Sequence, residues 1–142
     1  MADEPKTKPL VLVVEDDERL LGLRARSLEQ RGLKVVASNT VDEALSTLKS
    51  RPELDAVLLD IRLSTEEPGD KSGIALGKMI RERYRDVPII AYSAFFDDEI
   101  RDEVLPVFDR YYSKGSRPVA ELEEALEEIR KLAFEAHRRR ER

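Results

Sequence analysis

Cysteine and tryptophan are absent from the 142 residues, and histidine occurs once. Without cysteine there are no disulfides, no thiolate metal sites and no cysteine nucleophile. Aromatics are sparse at 6%, so the core must be built from aliphatic side chains. No apolar run approaches the ~20 residues that a membrane-spanning helix needs. Met1–Pro9 is polar and rich in Pro and Lys, unlike a signal peptide or an anchor. These features lead to the expectation of a cytoplasmic protein with no membrane insertion. A basic face is also missing: the net charge is -5, which takes away electrostatic support for direct nucleic-acid binding. The basic cluster His137, Arg138, Arg139, Arg140 and Arg142 is the exception, and it reads as the end of a helix complementing the carbonyl dipole, with His137 at the surface.

What the chain does have is charge, 39% of its residues against about 25% in an average domain, with both signs interspersed. Its length fits one domain. Leu10–Val14 is an unbroken aliphatic run, as expected of a strand buried on both faces. It ends abruptly in Glu15, Asp16 and Asp17. A helix with Leu21, Ala25 and Leu28 on its inner stripe follows, and Gly32 stands where a C-terminal cap belongs. Leu33–Ala37 reads as a second strand. Thr40 and Glu43 carry a capping-box signature ahead of an apolar stripe at Val41, Ala44, Leu45 and Leu48. Ala56, Val57, Leu58 and Leu59 then repeat the first pattern and end in Asp60. After a polar loop over 64–72, helical spacing resumes at Leu76, Met79 and Ile80. Pro88–Tyr92 makes a fourth strand ending at Ser93, 98–104 a short helix, and Val107–Ser113 a fifth strand followed by Lys114. A last helix starts at Pro118, with Leu122, Leu126, Ile129 and Ala133 facing the core. The limits expected are an N-terminal arm over 1–9, a domain over 10–134 and a basic helix end or tail over 135–142.

Five strands alternating with five helices argue for an α/β protein with a doubly wound parallel sheet and helices on both faces. Ligands of such sheets bind beyond the carboxyl ends of the strands. The residues there are Glu15, Asp16, Asp60, Ser93 and Lys114. With 30 acids in the chain, about one acidic triplet is expected by chance, so position carries the signal. Acids at the ends of adjacent buried strands repel unless a cation sits among them. Magnesium, which takes oxygen ligands and commonly pairs one or two carboxylates with a phosphoryl oxygen, is the natural candidate. Asp17 reads instead as the N-cap of the first helix. Lys114 can contact a phosphoryl oxygen as a point charge and Ser93 can donate a hydrogen bond to another. With one carboxylate free to attack phosphorus, the set suits phosphoryl transfer to an aspartate.

Val-Val-Glu15-Asp16-Asp17, Leu-Leu-Asp60, Ile-Ala-Tyr-Ser93-Ala94 and Tyr111-Tyr-Ser-Lys114 together resemble the four site motifs of response regulator receiver domains, including the single-domain chemotaxis type. The resemblance spans about Leu10 to Ala133. It implies the flavodoxin-like strand order 2-1-3-4-5 and a phosphoryl group accepted on Asp60. Asp16 would hold magnesium, or manganese in its place, with Glu15 assisting and the Arg62 carbonyl completing the protein ligands. Ser93 and Tyr111 would act as the switch, Lys114 would pair with the phosphoryl group, and the face of helix 4, strand 5 and helix 5 would respond. A sensor histidine kinase or phosphotransfer protein would be the donor and a downstream target protein the recipient. With no output domain after the last helix, the expectation is a stand-alone receiver whose output is binding.

Two departures stand out. Gly115 follows Lys114 where the family usually has a proline in a cis bond, and Asp60 lies 13 residues before Gly73, a longer connection than usual that carries Glu66, Glu67, Asp70 and Lys71. The alternative function is a pseudo-receiver that docks without turning over phosphate. A hydrolase is disfavoured because Asp60-Ile61-Arg62 lacks the second acid that aspartate-based phosphatases use. A flavodoxin-like cofactor binder is disfavoured because no phosphate-cradling loop follows the first strand.

Overall fold

The computed structural model describes residues 7–50, 53–60, 72–93, 102, 107–113 and 118–141. Five strands, β1 (Leu10–Val14), β2 (Lys34–Ser38), β3 (Ala56–Asp60), β4 (Ile89–Ser93) and β5 (Arg110–Ser113), form one sheet in the order β2-β1-β3-β4-β5. All pairings are parallel. The helices are α1 (Glu18–Gln30), α2 (Val41–Ser50), α3 (Ser72–Arg83) and a C-terminal helix (Pro118–Glu141). The short helix expected over 98–104, the loop and the Lys114–Gly115 junction lie outside the described residues, apart from Ser72, which opens α3, and Asp102.

Central parallel strands are covered on both faces, which is why β1, and β3 up to its terminal Asp60, are aliphatic, and why both are buried at every position. Side chains alternate between the faces. Leu10, Leu12, Val14, Val57, Leu59, Ile89 and Ala91 pack in one layer with α2 and α3, while Val11, Val13, Ala56, Leu58, Ile90 and Tyr92 pack in the other with α1 and the C-terminal helix.

Local signals set the helix ends. The Asp17 carboxylate accepts from the N–H groups of Arg19 and Leu20 at 3.0 and 3.1 Å, as the N-cap reading required. Past the end of α1, Gly32 has φ 90°, a conformation glycine adopts without strain. There Leu33 N–H donates to the Leu28 carbonyl and Gly32 N–H to that of Glu29, the paired bonds of a Schellman motif. At α2 the Glu43 N–H donates to Thr40 Oγ1 as expected, but the Glu43 carboxylate accepts from Asn39 N–H, one residue before the cap.

Three expected side-chain positions change. Met79 is 47% exposed, and α3 buries Gly73, Ile74, Leu76, Gly77 and Ile80. On α1 the buried residues are Leu21, Arg24 and Leu28, with Arg24 rather than Ala25 completing the stripe. His137 is no surface residue: it is 3% exposed. It continues the spacing of Ile129 and Ala133 by one more turn, so the helix carries it against the sheet. Among the described residues no helix is long and apolar enough to cross a membrane.

Candidate functional site

Parallel strands all end at the same edge of the sheet, so whatever follows β1 and β3 is brought together. Val14 pairs with Leu59, which sets Glu15 and Asp60 side by side. Carboxylate oxygens of Glu15, Asp16 and Asp60 lie within 4.8 Å of one another. Glu15 and Asp60 are buried, and Asp16 is partly exposed. Glu15 N–H donates to the Ser38 carbonyl at 3.1 Å, extending the β1–β2 ladder by one residue and fixing the backbone that presents Asp16.

Three carboxylates this close repel, and burial denies two of them the screening of bulk water. The donors are all oxygen, which fits a hard divalent cation such as magnesium better than a nitrogen- or sulfur-seeking metal.

Arg24, which sequence reasoning missed, reaches the cluster from α1. Its Nη1 donates to Glu15 Oε1 at 2.9 Å, with side-chain exposures of 6% and 1%. The same guanidinium lies 5.0 Å from the Tyr92 ring centroid, a cation–π distance. The available signal was the position of an arginine three residues after Leu21 and four before Leu28. Burial pushes the Tyr92 phenol above its ordinary value; Arg24 pulls it back, and Glu121, Asp60 and Glu15 add to the rise.

Ser93 ends β4, one residue beyond Tyr92, the register partner of Asp60, and pairs with Ser113 of β5. Tyr111 lies opposite Ala91 on β5, half-buried against the layer that holds α2 and α3. Lys114 and Arg62 lie outside the described residues. Glu15, Asp16 and Asp60 are thus the predicted site residues whose side chains are seen together.

A second polar cluster sits at the opposite edge. Asp55, just before β3, accepts from Leu10 N–H at 2.8 Å and from Arg140 Nη2 at 3.0 Å on each oxygen, and His137 Nδ1 is 3.0 Å from its Oδ2. His137 Nε2 lies 2.9 Å from the Thr7 carbonyl, so the last turn of the C-terminal helix ties the segment before β1 to the start of β3. A surface cavity of about 810 Å³ opens beside it, lined in part by Thr7, Lys8, Lys34 and His137. It lies at the far end of the sheet from the three acids.

Comparison with known proteins agrees with this fold. The model of a family described as the response regulator receiver domain matches residues 11–127. The acid tolerance regulatory protein ActR of Sinorhizobium medicae is 35% identical over 85 residues, covering 60% of this chain and 41% of that protein. The chain therefore spans less than half the length of such curated relatives. A response regulator from Thermotoga maritima has a TM-score of 0.68 at 26% identity, covering 90% of this chain and 99% of the other. The response regulator TrrA of the same organism, solved in complex with Mg2+ and BeF, has a TM-score of 0.68 at 27% identity, covering 87% and 97%.

Proposed function

The chain belongs to the response regulator receiver family, and from that premise we propose that Asp60 is its phosphoacceptor, with Glu15 and Asp16 holding a magnesium ion beside it. The observation that carries this reading is the convergence of the three carboxylates within 4.8 Å at the carboxyl edge of the sheet. Receiver domains take their phosphoryl group from histidine kinases or phosphotransfer proteins. In the reaction an Asp60 carboxylate oxygen attacks the phosphorus of a phosphohistidine. An O–P bond forms as the N–P bond breaks, and the departing imidazole keeps the bonding electrons and takes up a proton. Magnesium, when bound, neutralises charge spreading over the phosphoryl oxygens; manganese suits the same oxygen donors.

The chain's own residues position the rest. β3 fixes Asp60 at a rigid strand end, so the acceptor is oriented before the donor arrives. Lys114 pairs with a phosphoryl oxygen, the Arg62 carbonyl adds a metal ligand, and Ser93 donates a hydrogen bond to the phosphoryl group. Tyr111 follows Ser93 inward and alters the face of the 98–104 segment, β5 and the C-terminal helix, to which a downstream protein binds. Strand register supports this route: Asp60 pairs with Tyr92, the residue before Ser93, and Tyr111 pairs with Ala91 on the same strand.

Beryllofluoride with magnesium, which mimics an aspartyl phosphate, provides the test. The expected result is a rise in melting temperature that needs both components and is lost in Asp60→Asn. Equal melting of the two proteins under all conditions would sink the proposal in favour of docking without phosphorylation.

A further inference from the structure

Arg24 occupies a place where an aliphatic residue would complete the α1 stripe between Leu21 and Leu28. A guanidinium there is costly unless it is paired and hydrogen-bonded. Its partner is Glu15, itself one of the three clustered acids, at 2.9 Å. Its other face lies over Tyr92, whose neighbour in the chain is Ser93.

We propose that Arg24 is a resident counter-cation of the metal site: a positioning residue that anchors the Glu15 carboxylate and weakens the pocket's affinity for magnesium. The inference rests on the reading that these acids hold magnesium. Before metal binds, the Arg24 guanidinium places a positive charge 2.9 Å from the buried Glu15 carboxylate and holds it in place. When metal binds, the ion enters a field that Arg24 has already partly cancelled, so its affinity is lower than three carboxylates alone would give. The same guanidinium touches Tyr92, so any shift of Glu15 toward a metal is felt at the end of β4.

The experiment is a calorimetric titration of the full chain with MgCl2 at constant ionic strength, with thermal melts alongside, for wild type, Arg24→Met, Arg24→Gln and the charge-keeping Arg24→Lys. The neutral variants are expected to bind magnesium about tenfold more tightly than wild type. They should also melt lower without it and regain more of the loss when it is added. Arg24→Lys should stay within about threefold of wild type. A neutral variant that folds only once magnesium is present supports the proposal as well. Unchanged or weaker affinity in both neutral variants, tightening in Arg24→Lys equal to theirs, or failure of both to fold with or without magnesium overturns it. Wild type that binds magnesium and responds to beryllofluoride while the neutral variants bind alike removes only the role of Arg24. Absence of magnesium binding in every protein removes the metal reading along with it.

Discussion

At the scale of single residues, the two buried carboxylates other than Asp60 among the described residues, Glu15 and Asp55, are each paired with an arginine, and Asp55 has further partners. Asp55 accepts a backbone N–H and a two-oxygen guanidinium contact and faces an imidazole. Removing one member of a buried charged set costs more than the set contributes, because the others lose their compensation. Asp55→Ala should therefore lower unfolding stability by about 3 kcal/mol in urea denaturation, the half-exposed Arg140 being able to turn to water. A change below about 0.5 kcal/mol would mean that the contacts are not maintained in solution. Tyr92 yields a pH prediction. Burial, the largest cause, raises its phenol above 10.0, so the folded state favours the neutral form. That contribution is fully present below the unfolded value and is lost as pH rises from about 10 through the folded value. Tyr92→Phe should flatten the alkaline fall in stability; an identical fall in both proteins would contradict this.

At the scale of elements, most boundaries were legible because the signals are local. An aliphatic run that stops at a carboxylate marks a strand and its end, and Asp17, Gly32 and Thr40 act within a turn of where they stand. Replacing the Asp17 cap by Ala should cost about 1 kcal/mol, seen as a lower melting temperature. Gly77 shows where a local rule gives the wrong sign. Ala normally stabilises a helix over Gly by about 1 kcal/mol, yet a Cβ at Gly77 would sit 2.5 Å from Phe108 Cζ, close to the ring face. Phe108 is buried in the layer beneath α3, so it has little room to retreat. Gly77→Ala should destabilise by about 1–3 kcal/mol by overpacking, checked by thermal or urea unfolding; a stabilised variant would show that the ring can move. What could not be read locally is what depends on a distant partner. The α1 stripe read with Ala25 concealed Arg24, because an arginine becomes a core residue only if another strand supplies Glu15. His137 among arginines looked like surface for the same reason, since Asp55 lies 82 residues away.

At the scale of the whole molecule, the parallel sheet and the convergence of Glu15, Asp16 and Asp60 were legible from the strict alternation of strands and helices, which puts all the carboxyl ends at one edge, whereas the order β2-β1-β3-β4-β5 was implied by the resemblance to receiver domains. The sheet then has two polar ends with separate tasks. Its carboxyl edge gathers the acids of the site, and its amino edge is closed by Asp55, His137 and Arg140, which join the segment before β1 to the last turn of the C-terminal helix. Under the proposed function, a change at the carboxyl edge acts on a sheet whose far end is tied by these contacts. The measurement that tests the central claim most directly is intact mass after incubation with magnesium and acetyl phosphate. The account predicts one phosphoryl adduct in the wild type, removed by base and absent from Asp60→Ala. No adduct, or one that persists in Asp60→Ala, would contradict it.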